Sequence, residues 1–154
     1  MMEGSKKSII LFIFFLLVGG TFLIYRGLQP VEEIYEQPTP EEIVEQYFVS
    51  WNDKNYADMY ATLSDGFKKL EPSAVSLPAF KEYVDQQEVT DIVVKDVREL
   101  SNDDASATVH YKMLFTFGGK TAPFEGEFTL KNRQSDVIRG WKLIHPYGEY
   151  IDEA

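Results

Sequence analysis

Two hydrophobic patterns follow one another along the chain. From Thr39 to Leu63, apolar side chains recur every three or four residues, as they do on one face of a helix. From Val89 to His145, most apolar side chains alternate with polar ones, as they do in strands with one buried face. The order predicts an α+β domain in which helices come first and a curved antiparallel sheet follows.

The start of the first helix is marked by three residues. Thr39 is a favourable N-cap residue, and Pro40 occupies the first helical position, where its missing N–H is not needed. Glu42 lies three residues after Thr39 and completes a capping box. We therefore expect a helix that begins at Pro40 and presents an aromatic face to the core.

The polar segment 52–55 predicts a corner, after which a second helix packs back on the first. We expect Gly66 to end this second helix. Pro78 predicts the start of a third, shorter helix.

About four strands are expected after these three helices. Their main segments are Ile92–Val97, Ala105–Phe117, Phe124–Lys131 and Ile138–His145, with turns between them. Consecutive strands joined by short turns predict a meander, and the helices should cover its apolar face.

The N-terminal segment predicts a single membrane span. Lys6 and Lys7 precede Ile9 to Tyr25, which carry no charge and are just long enough to cross a bilayer core of about 30 Å. The basic end should remain in the cytoplasm, so the domain should be extracytoplasmic at the cell membrane. We expect a retained anchor over residues 1–26, an acidic proline-containing tether over 27–38 and the folded domain over 39–154. Cleavage as a signal peptide remains the alternative.

Composition narrows the chemistry. The formal net charge of -10 argues against binding to nucleic acid. Without cysteine, the chain has no disulfide, thiolate metal ligand or thiol nucleophile. Its two histidines are far apart and show no paired spacing to carboxylates, so neither a metal nor another cofactor is expected.

Several segments resemble a known superfamily. The order of elements, ending in Gly-Trp-Lys-Leu at 140–143, resembles the nuclear transport factor 2-like (NTF2-like) superfamily, whose fold is a cone of helices on a curved sheet. Segments 40–48 and 51–60, followed by Leu63-Ser64, are similar to the membrane-proximal domain of methicillin-resistance-type penicillin-binding proteins. This resemblance implies a fold and a position behind an N-terminal anchor, but no particular activity.

The same resemblance suggests where chemistry could occur. Isomerases and cyclases of the superfamily place an acidic base in an apolar pocket. By strand alternation, none of the inward side chains here is an acid, and His110 falls on the polar outer side, where we expect it to be exposed. We therefore expect a non-catalytic module. A lyase or isomerase of the ketosteroid isomerase-like or polyketide cyclase-like kind is the alternative, with His145 and Tyr111 as its weak catalytic candidates.

Aromatic residues form the candidate ligand pocket. They are Tyr47, Trp51, Tyr60, Tyr83, Tyr111, Phe115, Phe128 and Trp141. These rings could surround a small apolar ligand, or they could simply fill the core between helices and sheet. An envelope protein is the other expected type of partner. The outer sheet face could also pair two copies of the chain, through Thr108, His110, Lys112, Glu125, Glu127 and Lys131.

Overall fold

A computed structural model describes residues 37–154, which form one compact unit. The predicted anchor over residues 1–26, and the predicted tether except for its last two residues, lie outside the described part. Within residues 37–154, no helix is both long enough and apolar enough to cross a membrane.

Helix α1 (Pro40–Asn52) begins where the capping signals predict. The Glu42 N–H donates to the Thr39 hydroxyl oxygen over 3.2 Å, and the Thr39 N–H donates to the Glu42 carboxylate over 2.8 Å. Its inward face buries Val44 and Phe48 among other side chains, so this helix forms one wall of the core.

The predicted end of the second helix was wrong. Helix α2 (Tyr56–Ala61) ends before Gly66, and a separate helix α3 (Asp65–Leu70) contains that glycine. The described residues therefore form four α-helices instead of the predicted three.

The break between α2 and α3 has a tertiary cause. The Leu143 N–H donates to the Thr62 carbonyl over 2.9 Å, and the Ser64 N–H donates to the Leu143 carbonyl over 3.1 Å. These bonds draw the chain out of α2 and along the last strand. Ser64 then caps α3 by accepting a hydrogen bond from the Phe67 N–H.

Helix α4 (Leu77–Asp85) begins one residue before the predicted start at Pro78. Two short 3-10 helices complete the helical part, Pro72–Ala74 before α4 and Gly148–Glu153 at the C-terminal end. Ser76 caps α4 by accepting a hydrogen bond from the Ala79 N–H.

The four-stranded antiparallel meander is confirmed. Its strands are β1 (Val89–Asn102), β2 (Ser106–Phe117), β3 (Lys120–Arg133) and β4 (Gly140–Leu143), in the order β1-β2-β3-β4. Three register irregularities interrupt the pairing of β1 with β2, and such bulges bend a strand. Helix α1 packs on the inner face of this bent sheet, mainly against β1 and to a lesser extent against β2 and β4.

Candidate functional site

An aromatic cavity of about 370 Å³ lies beside α1 on the inner face of the sheet. Its lining comes from α1, from the segment between α4 and β1, from the start of β1, and from β2 and β3. The lining residues are Tyr47, Phe48, Trp51, Gln87, Val89, Tyr111, Phe115, Phe117, Phe124 and Phe128. None of these side chains is charged, so the cavity offers apolar surface with a few neutral polar groups.

Close ring contacts fix the inner wall of the cavity. The Tyr111 ring centroid lies 5.0 Å from that of Phe48 and 4.9 Å from that of Phe128. Phe48 and Phe128 stack with an interplanar angle of 29°. Aromatic pairs at these separations attract one another beyond simple burial, so the wall is a packed unit.

The opposite part of the lining reaches the surface. Phe117 and Phe124 are 38% and 47% exposed, and their rings meet edge to face with centroids 6.3 Å apart. They lie on either side of the glycine turn that joins β2 to β3. Two exposed phenyl rings beside a cavity give it an apolar entrance.

Two phenol groups are among the polar groups of the lining. Burial raises the pKa of Tyr47 and, more weakly, the pKa of Tyr111, so both phenols stay protonated at neutral pH. Neither hydroxyl forms a hydrogen bond with any residue in the described range. The Trp51 indole nitrogen is buried and has no acceptor in that range. The lining therefore contains hydrogen-bond donors that the protein itself does not use.

A glycine provides the space for the Tyr111 ring. Tyr111 pairs with Gly126 across β2 and β3. A Cβ atom at Gly126 would lie 2.7 Å from the Tyr111 hydroxyl oxygen and 2.9 Å from Cζ. The ring therefore lies over the bare backbone of β3, and any larger residue would displace it.

Comparison with known families decides what kind of domain this is. The model for the NTF2-like N-terminal transpeptidase domain matches residues 39–146. The chain belongs to this family. The resemblance drawn from segments 40–48 and 51–60 is thus confirmed.

Solved structures share the fold of this NTF2-like domain. A SEC-C motif containing protein from Psychrobacter arcticus has a TM-score of 0.53 at 11% identity, over 75% of this chain and 63% of that one. The match thus spans less than two thirds of that protein, and at this identity it shows the fold alone.

Weaker matches include an NTF2-like protein of unknown function from Shewanella oneidensis, with a TM-score of 0.43 at 12% identity, over 66% of this chain and 88% of that one. Another is a proposed polyketide cyclase from Pseudomonas putida, with a TM-score of 0.43 at 12% identity, over 76% and 98% of the two chains. No curated protein matches the chain.

Five of the eight residues proposed for the pocket line the cavity of this NTF2-like domain. They are Tyr47, Trp51, Tyr111, Phe115 and Phe128. Their role in ligand binding remains a prediction.

The other three lie elsewhere. Tyr60 packs on Phe80 and donates its hydroxyl hydrogen to the Ala74 carbonyl over 2.8 Å. Tyr83 is exposed on α4, and Trp141 is buried in the core.

The selection of eight also left out half of the lining. Strand alternation puts Phe117 and Phe124 on the inward side, and the helical spacing does the same for Phe48. These three could have been found from the pattern. Gln87 and Val89 lie where the helical period ends and the strand begins, and neither period covers them.

The two candidate catalytic residues, Tyr111 and His145, lie in different surroundings. Tyr111 lines the cavity, whereas His145 is exposed and does not line it, although its ring centroid lies 6.0 Å from that of Phe128. The cavity lining contains neither a carboxylate nor an imidazole. A proton-abstracting base is therefore missing from the described lining.

The expectation that His110 is exposed was wrong. Its residue exposure is only 6%, although it lies on the outer face of the sheet. Its Nε2 atom lies 2.8 Å from a Glu125 carboxylate oxygen, and its Nδ1 atom lies 3.7 Å from one of Asp96. The Asp96 and Glu125 carboxylates lie beside the ring, and alternation alone does not predict this burial. No group of metal-ligating side chains suited to an ion occurs within residues 37–154.

Proposed function

We propose that this NTF2-like domain is a non-catalytic binding module that takes a small apolar ligand into its aromatic cavity. The observation that carries the proposal is the lining, which consists of eight aromatic rings, Val89 and Gln87 around about 370 Å³. That volume lies at the lower end of the roughly 300–1,000 Å³ typical of small-molecule sites. The exposed rings of Phe117 and Phe124 give an apolar ligand a route into the cavity.

The surroundings of the candidate catalytic groups give binding more support than catalysis. A ketosteroid isomerase-like or cyclase-like reaction needs a base within hydrogen-bond reach of the substrate. The lining offers none, and His145 lies outside it. The Tyr111 phenol is a poor base at neutral pH because burial raises its pKa and keeps it protonated.

We further propose that Ile9–Tyr25 anchor the domain on the outer side of the cell membrane. The support is the uncharged run behind Lys6 and Lys7. In membranes from the host, the chain should resist alkaline extraction, and protease added outside spheroplasts should digest the domain. Release by alkali, or protection from the protease, would contradict the anchor or its orientation.

Native mass spectrometry of the full chain, purified gently from its own host, tests the binding proposal. We expect a retained small molecule whose mass identifies it. Gln87→Trp should expel this molecule because the larger side chain would fill part of the cavity. Gln86→Trp should retain it because Gln86 lies outside the cavity. An empty chain that co-purifies with a larger membrane protein would contradict ligand binding and favour an envelope interaction module instead.

A further inference from the structure

We infer that the ligand is an uncharged, flat ring compound that carries one hydrogen-bond acceptor. The hydroxyl groups of Tyr47 and Tyr111 donate hydrogen bonds to this acceptor. This inference rests on the proposed binding function and adds the chemical class of the ligand. Shape, charge and hydrogen bonding each contribute a separate argument.

The shape follows from the walls. Phe48, Tyr111 and Phe128 form one packed group of rings, and the Trp51 and Phe115 centroids lie 5.5 Å apart in another. Aromatic surfaces favour offset or edge-to-face contact with another ring, and a planar ligand gains most from such contacts. The volume of about 370 Å³ is large enough for a small planar ring compound.

The absence of charge follows from the lining. No lysine, arginine, histidine, aspartate or glutamate of the described chain lines the cavity. A charged ligand would lose its hydration without gaining a partner of opposite charge, which is strongly unfavourable. A neutral ligand avoids this cost.

The acceptor follows from the unused donors. The Tyr47 and Tyr111 hydroxyls are protonated and form no hydrogen bond with the described residues. A ligand without an acceptor would cover these phenols and leave them unsatisfied, whereas a carbonyl or ether oxygen would satisfy them. The fixed position of Tyr111 over Gly126 holds one donor in place for this role.

Two matched probes test the inference: 1-indanone, which has a ring carbonyl, and indane, which has a methylene in its place. The full chain, labelled with ¹⁵N on its two tryptophans and placed in lipid nanodiscs, would be titrated with each probe, with empty nanodiscs as the blank. The Trp51 indole resonance, assigned through Trp51→Phe, reports occupancy of the cavity. We expect both probes to shift it, with indanone binding about tenfold more tightly.

Variants connect the preference to the two phenols. Tyr47→Phe combined with Tyr111→Phe should reduce the tenfold ratio to about one, whereas Tyr56→Phe should keep it because that hydroxyl bonds to Asp85 outside the cavity. Equal binding of both probes to the unaltered chain would overturn the inference while leaving the binding module intact. No shift of the Trp51 resonance with either probe would contradict the proposed function itself. A ratio kept in the double variant would also overturn the assignment to these hydroxyls.

Discussion

The contact between Tyr111 and Gly126 predicts that one added methyl group at Gly126 lowers stability. Gly126→Ala adds a Cβ that would lie 2.7 Å from the Tyr111 hydroxyl oxygen, so the ring must move. Because the ring is already packed against Phe48 and Phe128, we expect a loss of about 1–3 kcal/mol in the free energy of unfolding. Urea unfolding of the full chain measures this loss.

The same substitution in a Tyr111→Leu background is the matched control. Without the phenol ring, the new methyl group has no close neighbour there, and the cost should fall below about 1 kcal/mol. An equal cost in both backgrounds would mean that the strain lies in the β3 backbone and does not come from contact with the ring.

Glu71 predicts a dependence of stability on pH. Hydrogen bonds from the Ser73 side chain, the Tyr147 hydroxyl and the Ser73 N–H hold the pKa of Glu71 below its ordinary value of 4.5. A lowered pKa in the folded state stabilises the protein above pH 4.5, and this contribution is lost as the pH falls through the folded-state pKa. Glu71→Gln should therefore lower the free energy of unfolding at pH 7 by about 1 kcal/mol and have little effect at low pH.

Unfolding curves at several pH values, with Glu149→Gln as the control, test this prediction. Glu149 is exposed and has no side-chain hydrogen bond within the described residues. If Glu71→Gln and Glu149→Gln showed the same pH dependence, the bonds to Glu71 would not contribute measurably to stability.

At the residue scale, hydrophobic periodicity predicted which side chains face inward but not which of them border a cavity. The inward parity of Tyr111, Phe115 and Phe128 follows from alternation, and all three line the cavity. Trp141 has the same kind of inward direction, yet close packing fills the space around it. Whether an inward ring fills the core or lines a cavity depends on the fit of helix to sheet, which a single sequence does not show.

At the scale of elements, α1 protects the free edge of β1. The Asn52 side-chain oxygen accepts a hydrogen bond from the Ile92 N–H over 2.8 Å, and Glu41 accepts one from the Glu99 N–H over 3.1 Å. Both donors belong to the strand at the edge of the sheet, where unpaired N–H groups invite association with other chains. The helix therefore covers the inner face and also satisfies part of this edge.

Asn52→Ala should lower the stability of the domain by removing the hydrogen bond to the Ile92 N–H. Ile92 is buried, so losing its acceptor leaves a poorly hydrated N–H and should cost about 1–3 kcal/mol in the free energy of unfolding. Native-state hydrogen exchange should show faster exchange at the Ile92 amide in particular. Asn102→Ala removes an exposed asparagine and should leave that amide unchanged. Unchanged protection in Asn52→Ala would mean that the bond does not hold the edge.

The elements differ in how far sequence determined them. Helix α1 was predicted correctly because its capping box is local, within Thr39–Glu42. The long strands were predicted because alternation persists over many residues. The separation of α2 from α3 was missed because Thr62 and Ser64 form hydrogen bonds with Leu143, about 80 residues away in the chain. Helical spacing within a segment does not reveal such a long-range contact.

At the scale of the whole described unit, the segment beyond the family match belongs to the fold. The match ends at residue 146, yet the 3-10 helix Gly148–Glu153 buries Ile151 completely. Gly66 of α3 packs so closely that a Cβ there would lie 2.9 Å from the Ile151 carbonyl oxygen. Asp152 forms ion pairs with Lys131 and Arg133 of β3. The segment thus joins α3 to the C-terminal end of β3.

Ile151→Ala should therefore destabilise the unit by about 2–5 kcal/mol, because it removes a fully buried side chain and leaves a cavity. The neighbouring change Tyr150→Ala should cost less than about 0.5 kcal/mol, because Tyr150 is 63% exposed. Urea unfolding of the full chain distinguishes the two. Equal and small effects would mean that the last segment is only loosely attached and that the unit is complete within the family match. A large effect of Ile151→Ala alone would make residues 148–153 part of the core, because only tight packing against α3 makes the loss of one side chain so costly.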